Sequence, residues 1–205
     1  MFNKYFWKWA VFFFTLPILF TACKKQGSST CAEITLNPLV SVAPHKNSFS
    51  VGDTLEIIWI LPYTTINSSS FDTIELRKNL QVNASFGIAE YLTQPILFRN
   101  AHDNFSHLSS VGRYEISGLS HESKLFKFTP FPQTHSYEFR IRIIPTKRGF
   151  FGIGFQSGNF LVNHNCIANF ISELVSGNNN IDLRDSITGS ALWSENRSSF
   201  YFKVK

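Results

Sequence analysis

The chain is poor in the features on which nucleic-acid binding and most enzyme chemistry depend. Charged residues make up 16% of the sequence, and the formal net charge is +5. Basic residues form no cluster longer than an adjacent pair such as Lys147-Arg148, so there is no footprint for a phosphate backbone. Gly-x-Ser-x-Gly and His-Glu-x-x-His motifs are absent, and the glycine-rich stretch at 149–158 fits no phosphate loop. We therefore predict no nucleic-acid partner, no cofactor, no bound metal and no catalytic residues.

Cysteine is also scarce, with three residues in the whole chain. Cys23 ends an apolar segment near the start, which leaves Cys31 and Cys166 as an even pair. In an oxidising compartment an even pair favours a disulfide bond. A bridge across so long a loop is worth about 4–5 kcal/mol in the chain-entropy model. Two buried free thiols are the alternative.

The chain begins with the features of an export signal. Lys4 and Lys8 precede an uncharged apolar run over 10–20. That run has the length of a secretory h-region and is too short to span a bilayer as a helix. Thr21-Ala22 then places two small residues immediately before Cys23.

This order of charge, apolar run, small residues and cysteine resembles the lipobox of bacterial lipoproteins. The resemblance implies a signal peptide at 1–22, a diacylglycerol (and palmitate) on Cys23, and a flexible polar tether through 30. The membrane is then a partner through the N-terminal lipid, since several acyl chains on one cysteine hold a protein stably on a bilayer. An uncleaved anchor and an ordinary signal peptide are the alternatives.

Alternation of apolar and polar residues predicts a single strand-rich domain over 31–205. The clearest case is 137–143, and the nearly continuous apolar run at 55–61 predicts a strand covered on both faces. Further strands are predicted at 34–42, 73–77, 114–117, 125–128, 149–155, 160–162 and 199–204. With turns between them, these strands predict a mainly β fold, an antiparallel Ig-like β-sandwich with a short helix near the C-terminus.

Three segments depart from this pattern. Residues 84–92 suggest a short helix or an irregular crossover, and the polar stretch at 100–110 suggests a long loop. Residues 166–175 carry apolar side chains at spacings of three and four, which predicts a helix that stops at Gly177.

The segment Val51-Gly52-Asp53-Thr54, followed by an apolar strand, resembles a strand opening common in exported proteins of the Bacteroidetes group. The resemblance implies an Ig-like lipoprotein family without assigned activity. The Asp-Thr or Asp-Ser pairs ending at Thr54, Thr73 and Ser186 resemble the O-glycosylation site of that group. No acidic residue stands among the four residues directly after Cys23, Lys24-Lys25-Gln26-Gly27, which by the same resemblance implies an outer-membrane protein that faces the periplasm.

Three aromatic residues are candidate ligand contacts on loops: Phe105, Phe131 and Trp193. His102, Asp103 and His107 could meet as metal ligands, but solvated loop histidines are the simpler interpretation.

We therefore expect a non-enzymatic binding or scaffolding lipoprotein of the bacterial cell envelope, with an envelope protein or a glycan as its partner. A carbohydrate-binding accessory lipoprotein is the first alternative, because sandwich proteins often stack aromatic rings on sugars. An envelope hydrolase is the second, and it needs a cleft with converging carboxylates or with His102, Asp103 and His107.

Overall fold

The computed structural model describes residues 34–76, 81–93, 96–120, 123–156, 158–163, 166–175, 179–188 and 198–205. They belong to one compact unit, Glu33–Lys205. Among the described residues, no helix is long and apolar enough to cross a bilayer.

Within the described residues, eighteen strands and one α-helix follow one another along the chain. The first nine strands are β1 (Ile34–Leu36), β2 (Leu39–Ala43), β3 (Ser48–Phe49), β4 (Leu55–Pro62), β5 (Thr64–Ile66), β6 (Thr73–Glu75), β7 (Gln81–Thr93), β8 (Ile96–Asn100) and β9 (Phe105–Val111). The others are β10 (Arg113–Ser120), β11 (Ser123–Thr129), β12 (Phe131–Pro132), β13 (Ser136–Pro145), β14 (Gly149–Phe155), β15 (Gly158–Asn163), β16 (Cys166–Phe170), β17 (Glu173–Leu174) and β18 (Ser199–Val204). A 3₁₀ turn (His102–Asn104) precedes β9, and α1 (Ile181–Thr188) precedes β18.

The strands form two large sheets and a small hairpin. The ten-stranded sheet runs β1-β16-β15-β7-β14-β18-β3, and β8, β10 and β11 extend it along the other edge of β7. The six-stranded sheet runs β12-β13-β4-β2-β17, with β9 also paired to β13. Most pairs are antiparallel, and three are parallel: β1 with β16, β17 with β2, and β18 with β3. The two-stranded hairpin consists of β5 and β6.

The core lies between the two large sheets and is largely aromatic. Trp59 of β4 meets Phe128 of β11 edge-on at 5.7 Å, and Phe128 stacks on Phe139 of β13 at 4.2 Å. Such pairs contribute about 0.5–1.5 kcal/mol beyond the area they bury. The indole nitrogen of Trp59 donates a 3.3 Å hydrogen bond to Ser172 Oγ, which satisfies its buried polar group. The predicted β-sandwich is therefore confirmed.

A buried carboxylate ties β7 and β8 to the start of β9. Glu90 of β7 is 8% exposed and receives Arg99 Nη2 at 2.8 Å. Asn104, in the 3₁₀ turn, donates a second hydrogen bond to it at 3.3 Å. A charge is tolerated under the surface only when it is paired in this way, so these contacts determine where the chain enters β9.

The C-terminal helix packs on the outer face of the ten-stranded sheet. Arg184 of α1 is almost fully buried, lies over the Tyr201 ring at 5.5 Å and pairs with Asp185 at 2.7 Å. The pKa of the Tyr91 hydroxyl is raised, first by burial and then by the neighbouring Tyr201. A helix near the C-terminus is confirmed, although it lies at 181–188 and the predicted helix over 166–175 is wrong: that segment forms β16 and β17.

Two other segment predictions are also wrong. Residues 84–92 belong to β7, the longest strand, and most of the predicted loop at 100–110 forms the 3₁₀ turn and β9. The run at 55–61 is a strand as predicted, but one of its faces is buried and the other half-exposed.

Candidate functional site

A tight turn joins β9 of one sheet to β10 of the other. Gly112 lies between them with φ +83°, a conformation that costs a residue with a side chain about 1–2 kcal/mol. A Cβ there would come within 2.8 Å of Phe139 Cδ2 and 2.9 Å of the Thr129 carbonyl oxygen. Glycine is thus required twice, by the backbone angle and by the close approach of β11 and β13.

Next to this turn lies an open cleft of about 530 Å³ at the β10–β11 hairpin. Its lining residues are cross-strand partners in the hairpin, arranged as Arg113 opposite Thr129, Tyr114 opposite Phe128 and Glu115 opposite Lys127. Because successive side chains point to opposite faces of a strand, the two aromatic rings lie on the core side and the charged groups on the solvent side. We call these six residues the hairpin cleft.

Phe131 stands beside the hairpin cleft on the neighbouring strand β12. Its side chain is 39% exposed, and the guanidinium carbon of Arg113 lies 5.6 Å from the centre of its ring. Arg113 belongs to the ten-stranded sheet and Phe131 to the six-stranded sheet, so this contact bridges the two at their edges. A cation over an exposed ring is worth about 0.5–1 kcal/mol.

The charged side chains of the hairpin cleft are not paired with opposite charges. Within the described part of the chain, the side chains of Arg113, Glu115 and Lys127 form no ion pair or hydrogen bond, although Arg113 lies over the Phe131 ring. The lining includes one carboxylate and no histidine, cysteine or serine. It therefore holds no facing pair of carboxylates.

The outer face of the six-stranded sheet continues from Phe131. Phe131 pairs with Glu138, Glu138 with Ile60, and Arg140 with Ile58 across β12, β13 and β4. Arg140 also binds Glu138 at 3.0 Å, which holds both charges flat against the sheet.

A second ion pair, between Arg142 and Glu56 at 3.4 Å, lies further along the same two strands. We call the six residues Glu56, Ile58, Ile60, Glu138, Arg140 and Arg142 the outer face. The outer face therefore carries two half-exposed isoleucines and two ion pairs.

Among the described residues, the histidines do not form a metal site. His102 is fully buried and His107 half-buried, and their rings approach the same Phe126 ring edge-on at 4.3 and 4.5 Å. Their centroids are 6.4 Å apart, while Asp103 is exposed. No group of three or more His, Cys, Asp or Glu side chains in the described residues could hold a metal ion. Burial and the nearby His102 lower the pKa of His107 to about 4, although Asp103 acts in the opposite direction.

The three predicted ligand contacts have different outcomes. Phe131 is exposed at the site described above. Phe105 is 5% exposed and packs between Phe151 at 5.0 Å and Phe202 at 6.2 Å, so it is a core residue and not a surface contact. It is buried because 105–111 is a strand whose first side chain points inward. Trp193 lies outside the described residues.

The predicted modification sites are only partly within the described residues. Cys23 and Cys31 lie outside them, and Cys166 begins β16, where its backbone pairs with Asn163. Thr54, Thr73 and Ser186 are exposed, as an O-glycosylated hydroxyl must be, and the Ser186 hydroxyl donates to the Leu183 carbonyl at 2.8 Å. These modifications remain predictions.

Sequence reasoning missed Arg113, Glu115 and Lys127 as a group. Their alternation with apolar residues was visible in the sequence and indicated strands. The pairing of β10 with β11, and the approach of Arg113 to Phe131, depend on the turn at Gly112 and on sheet order. Neither can be derived from alternation alone.

The structure is thus a β-sandwich with an exposed aromatic ring and a charged cleft at the edges of its two large sheets. No known protein family and no curated protein sequence matches the chain. A non-cellulosomal cohesin from the hyperthermophilic archaeon Archaeoglobus fulgidus is 9% identical, with a TM-score of 0.30, over 74% of this chain and 98% of its own. A type II cohesin domain from the cellulosome of Acetivibrio cellulolyticus is 11% identical, with a TM-score of 0.27, over 58% of this chain and 75% of its own. Because the similarity is so distant, the function has to be inferred from the residues of this chain.

Proposed function

We propose that this chain is a non-enzymatic, protein-binding lipoprotein of the bacterial cell envelope. The observation that carries the proposal is the exposed Phe131 ring, which lies beside the charged side chains of the hairpin cleft and is continuous with the outer face. An aromatic anchor with arginine beside it and a polar rim is the composition of protein–protein contact surfaces. The open shape suits a partner surface better than a small ligand, which pockets usually enclose.

In this proposal the protein is attached to the membrane by a lipid on Cys23. This part of the proposal rests on the order of charge, apolar run and small residues before that cysteine. The absence of acidic residues directly after Cys23 favours the periplasmic face of the outer membrane. The partner would then be another envelope protein within reach of a tethered domain.

A glycan is the second candidate partner, because an exposed ring with polar neighbours can stack on a sugar. Arg113 already occupies one face of the Phe131 ring, however, and Phe105 is buried. The two candidates predict opposite effects of Arg113→Ala. Loss of the guanidinium uncovers the ring and strengthens sugar stacking, whereas it removes a contact residue from a protein interface.

The first experiment is site-specific photo-crosslinking in cells. A photoreactive phenylalanine analogue replaces Phe131 in one variant and Phe98 in a matched control. Phe98 is 64% exposed on β8 of the other sheet. We expect one discrete protein adduct from position 131 and none from position 98. Equal adduct patterns, or none from either position, would contradict the proposed surface.

The anchor is tested with Cys23→Ala and protease accessibility. The variant should leave the membrane fraction, and the parent protein should resist protease on intact cells until lysis. Cleavage on intact cells would place the domain outside the cell and turn the search to host proteins and glycans. A Cys23→Ala protein that stays as membrane-bound as the parent would refute lipidation.

A further inference from the structure

The exposed apolar side chains of this protein gather where the chain enters the domain. Within the described residues, ten large apolar side chains are exposed, and five of them lie on or next to the first two strands. Backbone hydrogen bonds link Ile171 to the Leu36 carbonyl at 3.0 Å and Val175 to the Val40 carbonyl at 2.8 Å. The five are Leu39, Ile66, Phe71, Ile171 and Val175.

The most exposed of them, Phe71, is held in an unusual conformation. It is 82% exposed with φ +63°, a left-handed backbone that is an outlier for a bulky residue. Its amide donates to the Asn67 carbonyl oxygen at 2.7 Å. Strain of this kind persists only where the surroundings enforce it, and it often marks a functional position.

The enforcing residue is Asn67, which is 2% exposed. Its side-chain oxygen accepts from the Thr35 amide at 2.9 Å and the Ser69 amide at 3.1 Å, and its side-chain nitrogen donates to Ser70 Oγ at 2.9 Å. The Ser68 amide adds a 2.8 Å bond to the Thr35 carbonyl. The loop that displays Phe71 is therefore fastened directly to β1.

In the sequence, a short segment connects β1 to the predicted lipid anchor. Ten residues, 24–33, separate the predicted acylated Cys23 from Ile34, and they include Lys24 and Lys25. Because ten fully extended residues span at most about 35 Å, an acylated Cys23 would hold β1 within that distance of the headgroups. Lys24 and Lys25 would favour an anionic leaflet.

We propose that this end of the sandwich rests on the membrane, with Phe71 and Ile66 inserted at the lipid–water interface. This inference rests on the proposed lipid anchor, because the tether brings the loop to the bilayer. The lipid surface would cover the side chains that the fold leaves exposed, and the Asn67 contacts would keep them pointing outward. Hairpin cleft and outer face would remain available to a protein partner.

The test uses quenching of tryptophan by brominated phospholipids in vesicles that carry the anchored chain. Phe71→Trp is compared with Leu108→Trp, where Leu108 is 59% exposed on β9. Above the background of the native tryptophans, we expect strong additional quenching at position 71 and none at position 108. Equal quenching at the two positions, or none at position 71, would overturn the proposal.

Two further experiments test this inference separately from the lipid anchor on which it rests. A chain that begins at residue 23 with a hexahistidine tag, bound to nickel-chelating lipid, supplies the same tether without acylation. Quenching at position 71 there supports the inference even if intact mass shows no acyl group on native Cys23, while its absence overturns it.

The second arm compares Phe71→Ser with the parent as unacylated Cys23→Ser chains in analytical ultracentrifugation. A concentration-dependent dimer that Phe71→Ser abolishes would show that a second copy covers the loop, and would refute the lipid surface. Two monomeric chains support the proposal.

Discussion

Acid should destabilise this protein through His107 before its carboxylates are protonated. The folded state lowers the pKa of His107 from 6.5 to about 4, because the ring is half-buried against Phe126 and lies near His102. Between these two pH values the unfolded chain binds a proton that the folded chain does not. The free energy of unfolding therefore falls as pH decreases from about 6.5 to about 4, and it gains nothing from this group above that range.

The size of the effect follows from the same shift. A depression from 6.5 to about 4 corresponds to roughly 3.5 kcal/mol at about 1.4 kcal/mol for each pH unit. Since the side chain is only partly buried and solvent screens the interaction, we expect about 1–2 kcal/mol.

Urea denaturation at a series of pH values between 4 and 8 measures this loss. His107→Leu keeps an apolar side chain against Phe126 and should flatten the pH dependence in that window. His135→Gln, at an exposed histidine, is the matched control and should leave the slope unchanged. The reasoning is refuted if the His107→Leu protein loses as much stability in acid as the parent.

Three other predictions concern folding. Gly112→Ala should cost about 2 kcal/mol or more in thermal unfolding, from its backbone angle and the 2.8 Å approach to Phe139; an unchanged melting temperature would contradict the turn geometry. Phe105→Ala should cost about 3–5 kcal/mol and Phe131→Ala less than about 1 kcal/mol, so equal losses in urea would disprove their assigned burial. Intact mass under non-reducing conditions should show Cys31 bridged to Cys166, and reduction should lower the free energy of unfolding by about 4–5 kcal/mol; two titratable thiols would disprove the bridge.

Much of the β-structure could be predicted because one face of each strand is polar. Strand β13 alternates between buried residues such as Ile141 and the charged Arg140 and Arg142, so its period of two is plain. The same alternation is hidden in β7, where the inward positions include Glu90 and the outward ones include Gly87 and Ala89. A Cβ at Gly87 would come within 3.3 Å of Leu125 Cδ2, so the space at that position favours glycine.

The segment at 166–175 shows how a strand can imitate a helix. Its apolar residues fall at spacings of three and four because the chain leaves one sheet after Phe170 and joins the other at Glu173. Ile171 turns outward and Ser172 inward to meet Trp59 at this crossing. Helical spacing therefore arises from a change of sheet, which periodicity alone cannot distinguish from a helix.

The candidate site could be predicted only in part. Phe131 lies between two prolines, which cannot donate the backbone hydrogen bonds of a strand pair. Strand β12 is therefore short, and the exposure of Phe131 agrees with the sequence. Burial of Phe105 depends on the Glu90 contacts that direct the chain into β9, and those contacts join residues far apart in the sequence. Side chains that become neighbours only through sheet order give no local signal.

The parallel pairs at the edges also determine the order in which this protein can be completed. Lys203 lies opposite Ser48, and Ala168 lies opposite Ile34, so β3 and β1 bind to partners made much later. Loop-closure entropy makes such distant pairings slow to form. A chain emerging residue by residue, from a ribosome or a translocation pore, must therefore keep β1 unpaired until 166–170 is free and β3 unpaired until 199–204 is free, whereas β2 can pair with β4 early. Leu36 and Phe49 of β1 and β3 are buried in the folded protein, so a holding chaperone would find its binding site at these two strands and lose it when their partners arrive.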